Sequence, residues 1–192
     1  GFERSTVYAG WTTGWDAAFN SYLGGSAFLG GIAMDLNDYM TFYYFLSAGD
    51  LGWRGSDGYN HSLVLWSDLT DRLGHVIQSD YVTTNDTFGT PGLSVEEYGI
   101  NQYFYYTLNE LWAVGARVEW WRSNAVTGNY QSYNEITGGI NFRPGTNVVF
   151  RPEIRYDWTP GEDNFTANQQ ITNLANPFYN QWTFGMDCVI TF

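Results

Sequence analysis

The chain has 192 residues, of which 44% are hydrophobic, 19% aromatic and only 15% charged, with 22 glycines. That balance excludes a disordered polypeptide and favours twisted antiparallel β-structure over helix bundles. Lysine is absent, so eight arginines stand against twenty carboxylates. The formal net charge of −12 would repel a phosphate backbone, which argues against nucleic acid as a partner.

Cys188 has no second cysteine with which to form an intramolecular disulfide, and no metal-ligand cluster can be built around it. No apolar run approaches the roughly 18 residues of a spanning helix. The longest, 28–34, is broken by Gly30 and Gly31. A membrane crossing by this chain would therefore use a closed sheet. The first residue is Gly1 rather than Met, without the charged start and apolar core of a signal peptide, so the expectation is that the true beginning has been removed.

Read for a period of two, the chain divides into ten segments of roughly 10 residues, the length of a tilted strand crossing a bilayer. In order they are 6–15, 26–36, 40–49, 59–69, 72–83, 96–107, 111–122, 132–142, 147–158 and 179–192. Their connections alternate in length. Short ones fall at 37–39, 70–71, 108–110 and 143–146. Long ones, rich in Gly, Asn, Asp and Thr, fall at 16–25, 50–58, 84–95, 123–131 and 159–178. Short turns at one end and long loops at the other describe an up-and-down sheet whose two ends meet different surroundings. The expected fold is an all-β, antiparallel up-and-down transmembrane β-barrel in a single domain spanning 1–192.

Several segments have one apolar face. Trp112, Val114, Ala116, Val118 and Trp120 share a side of the seventh segment, and Trp182, Phe184, Met186, Cys188, Ile190 and Phe192 share a side of the tenth. Aromatic residues at the ends of such rows suit the boundary between hydrocarbon and headgroups. The opposite sides are polar: Arg151, Glu153, Arg155 and Asp157 follow one another in the ninth segment, and Glu135, Thr137, Gly139 and Asn141 in the eighth. Segment 96–107 is ambiguous, with Asn101 on one side and Gln102 on the other. Pro152 carries no N–H and predicts a bulge or register fault.

The stretches 49–63 (GDLGWRGSDGYNHSL), 76–82 (VIQSDYV), 114–122 (VGARVEWWR) and 150–158 (FRPEIRYDW), with the ending 184–192 (FGMDCVITF), resemble the OmpL-like β-barrel porins. A weaker likeness covers 7–16. The resemblance implies an outer-membrane channel in the bacterial outer membrane. Members of that family are usually longer, so the chain is expected to be the C-terminal part of a longer porin. The implied partners are outer-membrane lipids, small solutes and the outer-membrane assembly machinery, and a homo-oligomer is compatible with the reading. The last strand, through Trp182, Phe184, Ile190 and Phe192, has the alternating pattern that assembly machinery generally recognises.

On this reading Arg117, Glu119, Glu135, Arg151, Glu153, Arg155, Asp157 and Asp187 line the pore, where opposed charges screen solutes by charge and size. The blander account is that they neutralise one another as salt bridges bracing the wall, and the two are compatible. The net charge predicts a modest preference for cations. Loop carboxylates Asp57, Asp86, Glu162 and Asp163 have no ligand spacing and read as solvated charge, so neither metal nor cofactor is expected. His61 and His75 fall with the apolar rows and read as interfacial residues. A protease would need His61 with Asp57 at the loop rim. The soluble alternative is an aromatic-rich jelly-roll glycoside hydrolase or carbohydrate-binding module using Glu97 and Glu119 as its carboxylate pair.

Overall fold

The computed structural model describes residues 4–16, 24–124, 130–160 and 180–191. Within them all ten expected strands form: β1 (Ser5–Thr12), β2 (Ser26–Asn37), β3 (Met40–Asp50), β4 (Asp57–Thr70), β5 (Leu73–Asn85), β6 (Val95–Thr107), β7 (Trp112–Ser123), β8 (Gln131–Gly145), β9 (Val148–Trp158) and β10 (Asn180–Ile190). They make one sheet in which each strand lies beside its sequence neighbours, from β1 through to β10. This up-and-down order has no Greek-key crossover, so the jelly-roll alternative fails.

By contact density the chain divides into two compact units, each described on its own. The first comprises Gly1–Trp66, Gln78–Ile100 and Arg122–Tyr130. In it β1, β2 and β3 pair in register, so that Tyr8, Gly31 and Phe45 share one face while Val7, Ile32 and Tyr44 share the other. Its buried residues gather beneath the β3–β4 connection, where Leu51, Val95, Thr84 and Thr87 are almost wholly enclosed. The connection contains a single 3-10 turn, Gly52–Arg54. Backbone bonds fix it: Trp15 N–H to the Leu51 carbonyl at 3.0 Å and Ser56 N–H to the Asn85 carbonyl at 3.1 Å. Two glycines permit the approach. Gly55 has φ +156° and a Cβ there would meet the Asn85 carbonyl oxygen at 2.6 Å; at Gly58 a Cβ would collide with the Leu51 side chain.

The second unit comprises Ser67–Ile77, Asn101–Trp121 and Gln131–Phe192. Here β8, β9 and β10 pair so that Glu135, Asp157 and Gln181 stand in one row, followed by Thr137, Arg155 and Thr183, then Gly139, Glu153 and Gly185. The other face carries Ile136, Tyr156 and Trp182, then Gly138, Ile154 and Phe184. The fault expected at Pro152 does not occur. Pro152 pairs with Met186, and the β8–β9 partners pass from Gly139 with Glu153 to Phe142 with Phe150 on unchanged register. Proline removes a donor without adding a residue, and a register can shift only if a residue is added. The irregularity lies instead between Phe142 and Gly145, beside the turn.

Candidate functional site

Around Glu135 and Asp157, burial on the two faces of β8–β10 is opposite to that of a water-soluble protein. Glu135 and Asp157 are each only 3% exposed, while on the other face Phe184 is 74%, Met186 68% and Ile154 51% exposed. Among the described residues the buried apolar set is only Ala27, Leu51, Val76, Val95 and Ala113. Farther along the charged face Arg151, Glu153 and Asp187 are themselves exposed, so it is around Glu135 and Asp157 that charge is sheltered while hydrocarbon is displayed, an arrangement that water penalises and lipid rewards.

On the sheltered face Glu135 is the hub. Its carboxylate accepts from Arg117 Nε at 2.7 Å and from the Thr137 hydroxyl at 2.7 Å, and lies 3.0 Å from Arg155. Arg155 also donates to Asp157 at 2.7 Å, and Gln181 donates to the other Asp157 oxygen at 3.1 Å. Glu119 approaches Arg117 at 4.0 Å. Five of the eight expected charged residues are thus joined in one network, and Arg151 with Asp187 forms a separate ion pair. Two charges buried together persist only when each is paired and hydrogen-bonded, which this network achieves.

Glu153 is the exception. It lies between Gly139 and Gly185, where a glycine Cβ would stand 3.4–3.5 Å from its side chain, and among the described residues it has no ion-pair partner. Together with Arg117, Arg151, Asp187, Thr137 and Tyr103 it lines a cavity of about 450 Å³. Tyr103 and Tyr105 stack there with centroids 6.3 Å apart, and the Arg117 guanidinium stands 6.0 Å from the Tyr103 ring. These tyrosines were not singled out from the sequence, although their alternation along 101–107 is the signal that marks them.

In the first unit the polar face is also occupied by a part of the chain that sequence reading left as an ordinary loop. Arg54, in the β3–β4 connection, forms an ion pair with Glu97 of β6, and Glu97 also accepts from the Ser123 hydroxyl at 3.0 Å. The Arg54 guanidinium stands 5.1 Å from the Trp15 ring. Trp53 donates its indole N–H to the Trp15 carbonyl at 2.7 Å and stacks on Phe88. The connection is therefore held against the strands by charge, hydrogen bonds and rings at once. Asp86 hydrogen-bonds the Gly92 backbone N–H at 2.7 Å and accepts from Ser56 at 3.0 Å, which holds its carboxyl below the usual range.

The enzymatic alternatives do not assemble. His61 Nδ1 meets the Tyr59 hydroxyl at 3.0 Å, and its ring packs among Tyr44, Tyr59 and Tyr81. Asp57 is not its partner. His75 lies 3.4 Å from Gln102 and packs on Phe104, which explains how an amide is accommodated on the apolar side of β6. Glu97 pairs with Arg54, and Glu119 stands 4.0 Å from Arg117, which Glu135 already holds. Of the expected assembly residues, Trp182, Phe184 and Ile190 are exposed on one face of β10, with Trp182 against Tyr156. Phe192, Glu162 and Asp163 lie outside the described residues. Among those described, no group of three His, Cys, Asp or Glu side chains could hold a metal ion.

Comparison with known proteins agrees with this geometry. No curated protein matches the chain. Of solved structures, the chain is similar to one titled "NanC porin structure in rhombohedral crystal form", with 13% identity, 98% of this chain and 93% of that chain covered, and a TM-score of 0.54, a likeness of fold. A family model described as "Putative beta-barrel porin-2, OmpL-like" matches residues 3–192. With the match running over nearly its full length, the chain belongs to the OmpL-like β-barrel porin family.

Proposed function

We propose that the chain forms a passive diffusion channel in a bacterial outer membrane, carrying small hydrophilic solutes or ions without cofactor or covalent chemistry. The observation that carries this reading is the reversed burial around Glu135 and Asp157 in β8–β10: exposed Phe184, Met186 and Ile154 on one face, enclosed Glu135 and Asp157 on the other. Exposed apolar rows are stable against acyl chains, and a hydrated, enclosed charged face is what an ion or sugar could follow. On this account Arg117, Glu119, Glu135, Arg151, Glu153, Arg155, Asp157 and Asp187 line the lumen as one barrel wall. Glu153, which has no ion-pair partner among the described residues, biases permeation towards cations. Trp182, Phe184, Ile190 and Phe192 form the signal read by the assembly machinery.

The test is reconstitution of the refolded chain in a planar bilayer, with heat-modifiable gel mobility confirming that the sheet has formed. Stepwise ion-carrying openings, with a reversal potential of cationic sign in a salt gradient, are expected. A folded but electrically silent chain would contradict the channel. Clear anion preference would contradict the role given to Glu153.

A further inference from the structure

We propose that Arg122, held against the neighbouring rings of Tyr98 and Tyr130, binds the phosphate of an anionic lipid headgroup at the long-connection rim of the sheet. The proposal rests on the membrane reading above and adds a lipid site to it. Arg122 continues the alternate positions of Trp112, Val114, Ala116, Val118 and Trp120 near the end of β7, so it belongs to the apolar row and not to the charged one. Its guanidinium carbon lies 4.4 Å from the Tyr130 ring centroid and 5.8 Å from that of Tyr98. The two ring centroids are themselves 6.1 Å apart, so both rings lie to one side of the guanidinium, whose N–H donors match a phosphate oxygen pair.

Five of the eight arginines are paired, whereas Arg72, Arg122 and Arg143 have no ion-pair partner among the described residues. Arg4, Arg54, Arg117, Arg151 and Arg155 each have a carboxylate within ion-pair distance. Among the described residues Arg122 has none, in a chain with twelve more carboxylates than arginines. Its neighbour Glu96 is engaged by the hydroxyls of Tyr81, at 3.0 Å, and Tyr130. A cation on a lipid-facing row is tolerated at the headgroup level and is costly deeper. Tyrosines with hydroxyls gathered on Glu96 mark the same level. Two residues beyond Tyr98 on the same row stands Ile100, 42% exposed, along which the acyl chain of a lipid anchored at Arg122 would lie. That apolar continuation favours a lipid over a free phosphate, although both offer the same anion.

Native mass spectrometry of the refolded chain with equimolar phosphatidylglycerol and phosphatidylcholine reads the site directly. The unmodified chain is expected to retain phosphatidylglycerol preferentially, and Arg122→Gln to lower that preference about fivefold. Arg72→Gln, at a short turn, should leave it unchanged. No preference in the unmodified chain overturns the proposal whatever the variant does. So does an undiminished preference in an Arg122→Gln chain that keeps heat-modifiable mobility. Inorganic phosphate is expected not to displace the lipid; displacement would identify a free-anion site and overturn the lipid assignment. Conductance is recorded on the same samples. Loss of lipid preference with intact openings counts against this site alone, and silent bilayers with intact preference count against the channel alone.

Discussion

Replacing Glu135 with glutamine removes the one negative charge that Arg117 and Arg155 share. At about 4 Å between charge centres and an effective dielectric near 20, each attraction is worth about 4 kcal/mol before desolvation is counted. Both arginines are about a third exposed, so water screens part of this, and Arg155 retains Asp157 at 2.7 Å. The glutamine carbonyl keeps one acceptor for Thr137 or Arg117. The expected net loss is therefore about 2–3 kcal/mol, somewhat less than the roughly 3–5 kcal/mol seen when a fully enclosed pair is broken. Urea unfolding in detergent, followed by tryptophan fluorescence, measures it. The same variant adds one positive charge to the proposed lumen, so its reversal potential should move towards anions. A midpoint and a reversal potential both equal to those of the parent would refute the network and its place in the passage together.

Arg54→Gln releases the β3–β4 connection from Glu97; unfolding free energy should fall by about 1.5–3 kcal/mol, read by urea unfolding in detergent. An unchanged unfolding free energy would show that this ion pair does not anchor the connection. Tyr130 donates to Glu96, and that hydrogen bond pushes its phenol up to about 12. Because the folded value lies above the ordinary one of 10.0, the resulting stabilisation is complete below pH 10 and is lost as the pH rises towards about 12. The ultraviolet difference between the parent and Tyr130→Phe should titrate in that alkaline window; a midpoint at the ordinary phenol value would deny the bond to Glu96.

The strands were legible because their signal is local. A side chain in a strand alternates faces at every residue, and glycine, asparagine and aspartate punctuate the ends, so β2 to β9 could be read from neighbours alone. The grouping of Arg117 and Glu135 with Arg155 was legible for the same reason, since matching parity on adjacent strands puts side chains in one row. What escaped is non-local or depends on backbone chemistry. Nothing within a few residues of Arg54 announces that it reaches Glu97, 43 positions away. The cue was a solitary arginine in a Trp-Gly connection opposite a solitary acid on a small-residue row. Pro152 was read as a fault because the lost donor was equated with a displaced residue, yet the ladder keeps its spacing across the gap. Gln102 was ambiguous by parity until His75 supplied its partner.

The central claim is that the apolar rows meet acyl chains and the charged rows meet enclosed water. It is tested most directly by spin labels placed singly along β9, from Phe150 to Asp157 in a Cys188→Ser background, in lipid vesicles. Accessibility to oxygen should peak at 150, 152, 154 and 156, and accessibility to a water-soluble nickel chelate at 151, 153, 155 and 157, with a period of two residues. Loss of that alternation, or low accessibility to both reagents at 150, 152, 154 and 156 as for side chains packed against a second sheet, would contradict the account.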